Sequence, residues 1–256
     1  MRSFFAFFKK ECLESLRSGK LVILVALFIL FGMMNPAIAK LTPLMMELLA
    51  DSLAQSGMTV TTVTVDAMTS WTQFFKNIPM ALIAFVLIYG GIFTKEYESG
   101  TLILVLTKGL ARYKTVLSKA LLMLCVWTAG YWLCFAVTYA YNAYFWDNAV
   151  AVGLAPAALR WWLFGVFTVC LGVFFSALCS QGSGVLLGTG AVVALSYALS
   201  LFPKAAKLVP TALMNSADLL SGVQSADSVT GSVVTTVALC AVCLAASIPL
   251  INKKQL

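Results

Sequence analysis

The sequence predicts an all-α integral membrane protein with six transmembrane helices. Of its 256 residues, 61% are hydrophobic and only 11% are charged, and the mean hydropathy is +0.94. A soluble globular domain is about half apolar and a quarter charged. Six apolar blocks each approach the roughly 20 residues that cross a bilayer as a helix, which is the form that satisfies the backbone in lipid. The blocks are residues 21–39, 78–94, 120–140, 161–178, 184–202 and 232–251.

The segment before the first block is expected to form an amphipathic helix over residues 1–19. At about 100° per residue, a set of apolar side chains shares one face, and basic residues lie on the other side. The apolar set is Phe4, Phe5, Phe8, Cys12 and Leu16. Such a helix suits the membrane interface. The alternative is a basic segment that only sets the orientation of the first span.

Basic residues are distributed unevenly between the two sides of the predicted membrane. With the N-terminus inside, 12 of the 17 fall on inner segments and 5 on outer ones. The outer ones are Lys40, Lys76, Arg160, Lys204 and Lys207. The positive-inside rule therefore places both termini and residues 95–119 in the cytoplasm, and residues 40–76 and 203–231 outside. Topology and anionic lipid explain the basic excess, so no nucleic-acid partner is expected.

Two features of the later spans bear on helix packing. Gly184 and Gly188 are spaced as a small-xxx-small pair in the fifth span, which lets helices approach closely. The outer segment 203–231 is semi-apolar and contains two prolines, Pro203 and Pro210. This segment is expected to be either a re-entrant or interfacial helical element or a plain loop. Irregular backbone is tolerated at membrane depth only where protein or water surrounds it.

The absence of ionisable residues from the apolar blocks excludes several classes of function. No Asp, Glu, Lys, Arg or His lies within them, and the chain contains no histidine. Ion-coupled transporters place ionisable groups in their spans, and intramembrane hydrolases need a nucleophile with a base or a metal with ligands. A Walker-type nucleotide motif is also missing. We therefore predict no catalytic, cofactor-binding or metal-binding residues, and any uphill work must draw energy from another polypeptide.

The charged segment between the second and third blocks carries a motif. Glu96, Glu98, Gly100, Thr101 and Leu102 follow a span that ends in a Gly-Gly pair, and Arg112 and Lys119 precede the next span. This pattern resembles the first cytoplasmic loop of ABC-2 type transporter permeases. The six-span layout, the N-terminal interfacial helix and the semi-helical outer segment also fit that family, so the resemblance covers essentially the whole chain.

The resemblance implies a single permease domain over residues 1–256 in the bacterial cytoplasmic membrane. Two such subunits, identical or different, would dock onto soluble ATPase subunits that hold the ATP and magnesium. Glu96 and Glu98 would face the ATPase, Gly100 and Thr101 would form the bend into the coupling segment, and Arg112 would end it. Glycine permits the bend, and carboxylates find Lys or Arg on a partner. The alternative is that these are ordinary solvated loop charges.

The leading hypothesis is thus the membrane subunit of an exporter that is not itself an enzyme. The alternatives are a secondary transporter or channel that works without an ATPase, and a membrane enzyme or assembly factor. An uncharged pathway favours an amphiphilic or lipid-like substrate. Aromatic residues such as Tyr141 and Trp146 fit an outer aromatic belt better than a pathway lining.

Overall fold

The computed structural model describes residues 2–55, 65–94, 100, 107, 111–222 and 230–253. Its helices are α1 Arg2–Arg17, α2 Lys20–Gln55, α3 Ala67–Tyr89, α4 Arg112–Phe145, α5 Leu154–Leu178, α6 Gly182–Ser200, α7 Pro203–Ala206, α8 Ala217–Leu220 and α9 Thr230–Lys253. Six of them (α2 to α6, and α9) are long and apolar enough to cross a membrane. No strand occurs in the described ranges. The all-α class and the six spans are confirmed.

Several helices begin before the apolar blocks do. Helix α3 begins at Ala67, because the side chain of Asp66 caps it by accepting a hydrogen bond from the Thr69 backbone N–H at 3.0 Å. Helices α4 and α5 likewise take in Lys119 and Arg160, which lie just outside the predicted blocks and are buried. Helices α4 and α5 therefore carry buried charged residues near their first residues. The predicted blocks did not include these residues.

A polar cluster joins α2, α3 and α4 around a proline. Pro36 lies inside α2 and, having no N–H, cannot donate to the Gly32 carbonyl one turn earlier. The Thr138 hydroxyl donates to that carbonyl at 2.9 Å, and the Asn35 amide donates to the Thr138 hydroxyl at 3.3 Å. Asn77 of α3 donates to Asn35 at 2.9 Å. The cluster satisfies polar groups that would otherwise be stranded in hydrocarbon, and it holds three spans in register.

The centre of the bundle is built from rings packed onto glycines. A Cβ atom on Gly130 would overlap the Phe28 ring, and one on Gly165 would overlap Trp127. Phe28 and Trp127 are themselves fully buried and meet edge to face at 6.0 Å. The glycines of α4 and α5 thus create the space into which α2 inserts Phe28 and α4 inserts Trp127.

The end of the bundle opposite α1, called here the far end, is closed by residues 203–222. Besides α7 and α8 this segment contains a 3-10 helix, Pro210–Met214. The Trp161 indole donates to the Met214 carbonyl at 3.1 Å, and the Thr211 hydroxyl donates to the Ser196 carbonyl at 3.1 Å. Leu213 is fully buried. The described part of this segment is therefore a set of short helices folded onto the spans, while 223–229 lie outside the described residues.

Candidate functional site

Helix α1 lies against α4 and buries a mixed face. Phe7, Glu11 and Ser15 are one turn apart and all three are buried. Two of them are polar, so this contact is held by specific bonds as well as by apolar packing. The sequence reasoning missed it, because Phe7 appeared there only as an imperfection of the amphipathic pattern. The signal was the spacing of Phe7, Glu11 and Ser15, which places them on one face of a helix.

The predicted interfacial face of α1 lies partly outside this contact. Phe5 and Leu16 are 64% and 48% exposed. Phe4 and Phe8 are half-buried. Two apolar side chains therefore point away from the protein on the helix that precedes the first span. Their insertion into the membrane interface stays a prediction.

A buried ion pair fastens α1 to the start of the third span. The Lys119 ammonium donates to Glu11 Oε2 at 2.8 Å, and the two side chains are 2% and 3% exposed. Lys119 also donates to the Ile92 carbonyl at 3.2 Å. Its Nζ atom lies 6.0 Å from the centre of the Phe7 ring and 5.8 Å from that of Phe93. Because Ile92 lies just beyond α3, this one cation joins α1, α4 and the beginning of the segment that carries the loop motif.

The second carboxylate oxygen of Glu11 continues the network towards the surface. Lys10 lies 2.9 Å from Glu11 Oε1 and 2.9 Å from Glu14 Oε2. The hydrogen bond from Lys10 lowers the pKa of the Glu14 carboxyl below its ordinary value. In the same helix, burial raises the pKa of the Cys12 thiol, so this cysteine is not activated as a nucleophile. The α1 charges therefore act as structural links.

A hydroxyl pair makes a second link between α1 and the spans. Ser15 and Tyr89 share a buried hydrogen bond of 2.5 Å. Tyr89 is the last residue of α3, and its ring stacks on Phe85 at 5.3 Å. The loop motif follows this point directly in the chain. Both ends of the motif segment are thus attached to α1, through Tyr89 on one side and Lys119 on the other.

Arg112 begins α4 and contacts the end of the last span. Its Nη1 atom donates to the Ile251 carbonyl at 3.2 Å and to the Asn252 carbonyl at 3.4 Å. Carbonyls at a helix C-terminus carry partial negative charge, so a guanidinium is favoured there. The structure therefore places Arg112 where it joins α4 to α9.

The remaining residues of the motif fall mostly on chain that the structure does not describe. Glu96, Glu98 and Thr101 lie outside the described residues. Gly100 has a φ of +66°, in the left-handed region that glycine adopts readily, and no described residue places an atom within 4 Å of the position a Cβ would take. A bend at Gly100 fits this conformation. The roles of Glu96, Glu98 and Thr101 at an ATPase surface stay predictions.

The fifth-span glycines face the preceding helix of the same chain. A Cβ on Gly188 would overlap the Phe175 ring, and one on Gly184 would approach the Cys179 side chain at 3.1 Å. Both glycines therefore allow α6 to approach α5 closely.

Comparisons with known proteins identify the family of the chain. A family model described as ABC-2 family transporter protein matches residues 5–182, which include α1, the loop motif and the first four spans. The chain is 26% identical over 223 residues to the uncharacterized transmembrane protein YxlG of Bacillus subtilis strain 168, covering 85% of this chain and 84% of that protein. The chain is thus a multi-pass membrane protein and belongs to the ABC-2 family of transporter proteins.

Proposed function

We propose that this permease exports an amphiphilic substrate across a bacterial cytoplasmic membrane and is driven by separate ATPase subunits that dock on residues 95–119. Membership of the family makes the chain a membrane subunit of an ATP-binding cassette transporter. The direction of transport, the docking surface and the pairing of two permease subunits are parts of the proposal. Because the sequence contains no Walker-type motif, the proposal assigns ATP hydrolysis to a partner chain.

The observation that carries the proposal is the buried pair between Glu11 and Lys119. The pair lies where α1, the end of α3 and the start of α4 meet, and the loop motif connects the last two. A buried, hydrogen-bonded charge pair has a narrow range of stable geometries, so displacement at one end is transmitted to the other. A push on the loop from a closing ATPase pair would therefore move α4 and α1 together.

Gly100 supplies a second support, because its backbone conformation disfavours most other residues. Its φ is +66° and no described residue lies within 4 Å of a Cβ position, so a substitution there strains the backbone without a clash with the described part of the chain. Asparagine tolerates this region, whereas a β-branched residue does not. Gly100→Val and Gly100→Asn are therefore a matched pair of variants for the coupling loop.

The test compares ATP hydrolysis with assembly in the complex purified from its own membrane. Gly100→Val and Glu98→Lys are expected to abolish the change in ATPase rate that the permease imposes on its partner, while the permease itself stays folded. Gly100→Asn is expected to behave like the parent. If the Gly100→Val and Glu98→Lys variants hydrolyse ATP and transport as the parent does, residues 95–119 are not the coupling segment. Transport by the permease with no ATPase present would instead favour the secondary transporter or channel.

A further inference from the structure

A deep cleft opens at the far end of the bundle, opposite the α1 contact. It lies between α3, α5, α6 and the short helices of residues 203–215, and its volume is about 810 Å³. Cavities that hold drug-sized molecules measure roughly 300–1,000 Å³. The cleft is therefore large enough for a ligand the size of an acyl chain with a headgroup.

The lining of the cleft is mixed, with aromatic rings at its floor and hydroxyl and amide side chains beside them. Phe75, Trp161 and Tyr197 line it. The Trp161 indole N–H is bonded to the Met214 carbonyl at 3.1 Å, so this donor is not available to a ligand. Phe75 and Trp161 are almost fully buried, whereas Tyr197 is exposed at the edge. The aromatic part of this lining favours hydrocarbon, and its polar part favours a headgroup.

The rim of the cleft carries an exposed cation, Lys207. No carboxylate among the described residues pairs with it. An exposed ammonium beside aromatic rings is complementary to a molecule with a hydrocarbon body and an acidic end. Leu199, Leu201 and Phe202, at the end of α6, are exposed beside the rim. The mouth of the cleft is thus continuous with an apolar surface from which a lipid-like molecule can enter sideways.

We propose that this cleft binds an anionic amphiphile, with its hydrocarbon chain on the Phe75, Trp161 and Tyr197 floor and its acidic group on Lys207. The inference extends the proposed export of an amphiphile. Its statement that the ligand is transported cargo rests on that proposed function. A resident anionic phospholipid has the same chemistry. Charge complementarity at Lys207 favours either one over a second copy of the chain as the occupant.

The test labels the purified full-length permease, in zwitterionic lipid nanodiscs, with a palmitic acid that carries a photoreactive diazirine. Mass spectrometry then locates the label. We expect labelled peptides that include Tyr197 and Met214, and about a two- to fivefold loss of label in Lys207→Glu, as for one exposed charge pair. Lys207→Arg should keep the label. The matched control is Lys76→Glu, which changes an exposed lysine that does not line the cleft.

Three results would overturn the inference. They are equal labelling of Lys207→Glu and Lys76→Glu, label located away from the cleft, and cleft peptides that cross-link to a second copy of the chain while excluding the probe. Ala212→Trp checks the cleft itself, because a bulky ring on its wall should reduce labelling without altering the charge. If this variant does not fold, the two lysine variants still decide the matter.

Two further arms separate the source of the ligand from the function of the protein. Competition by excess phosphatidylglycerol identifies a resident phospholipid, and competition by free palmitate alone identifies a cargo-like ligand. Both results support the site. The labelling uses the permease without any ATPase, so a failure to find an ATPase partner would remove the export proposal and leave the binding result standing.

Discussion

The Glu11–Lys119 pair offers the sharpest quantitative prediction. Glu11→Gln keeps the size of the side chain but removes the carboxylate that lies 2.8 Å from the buried Lys119 ammonium. Removing one partner of a buried pair costs about 3–5 kcal/mol, because the other charge stays buried. Lys119→Met should cost less, since Glu11 keeps Lys10 at 2.9 Å. The double variant Glu11→Leu/Lys119→Met should recover most of the loss, because it buries no charge.

The measurement is thermal unfolding of the purified permease in detergent, followed by tryptophan fluorescence. By the scale of soluble domains of this size, Glu11→Gln should lower Tm by an amount on the order of 10 °C. The matched control is Glu14→Gln in the same helix. Glu14 also lies 2.9 Å from a lysine, Lys10, but the two side chains are 61% and 46% exposed. Such a pair is worth less than about 1 kcal/mol. Equal effects of Glu11→Gln and Glu14→Gln would refute the reasoning.

Three more predictions concern packing, polar bonding and pH. Gly188→Leu should destabilise the protein by about 1–3 kcal/mol, because its side chain would overlap the Phe175 ring of α5. Gly190→Leu on the same helix should be tolerated, because no other described part of the chain lies within 4 Å of its Cβ position. Unfolding of both variants in denaturant checks this. Thr138→Val should cost about 1 kcal/mol by stranding the Gly32 carbonyl, measured by thermal unfolding. The pKa of Glu14 is lowered, so its small contribution is present above its unfolded pKa and is lost as pH falls through the folded pKa. NMR titration of the Lys10→Ala variant should show a higher pKa for Glu14 than in the parent protein.

Composition and hydropathy were sufficient to predict the class of fold. Six apolar blocks gave six spans, because lipid permits few alternatives to the helix. The ends of the spans were harder to predict from the sequence. Helix α3 starts at a side-chain cap from Asp66, which an apolar pattern does not report. Lys119 and Arg160 lie at the edges of two apolar blocks, and only burial in the folded bundle shows that they belong to the helices.

The candidate site was predicted in part. The loop motif and Arg112 were identified from the chain, but the partner of Arg112 at the end of α9 was not. Glu11 and Lys119 are 108 residues apart in the chain, so no local pattern connects them. Within an amphipathic helix Glu11 was one more polar residue, and its importance depends on which face meets the spans. The cleft at the far end is similarly formed by elements that are distant in sequence.

The central claim is that this permease works with a separate ATPase through the loop between α3 and α4. The most direct measurement is purification of the tagged chain from its native membrane in gentle detergent, with subunit stoichiometry and ATP hydrolysis measured on the eluate. The account predicts a stoichiometric ATP-binding subunit with ATPase activity, lost when Glu98 and Gly100 are both replaced. A permease that elutes folded, alone and without ATPase activity would contradict it.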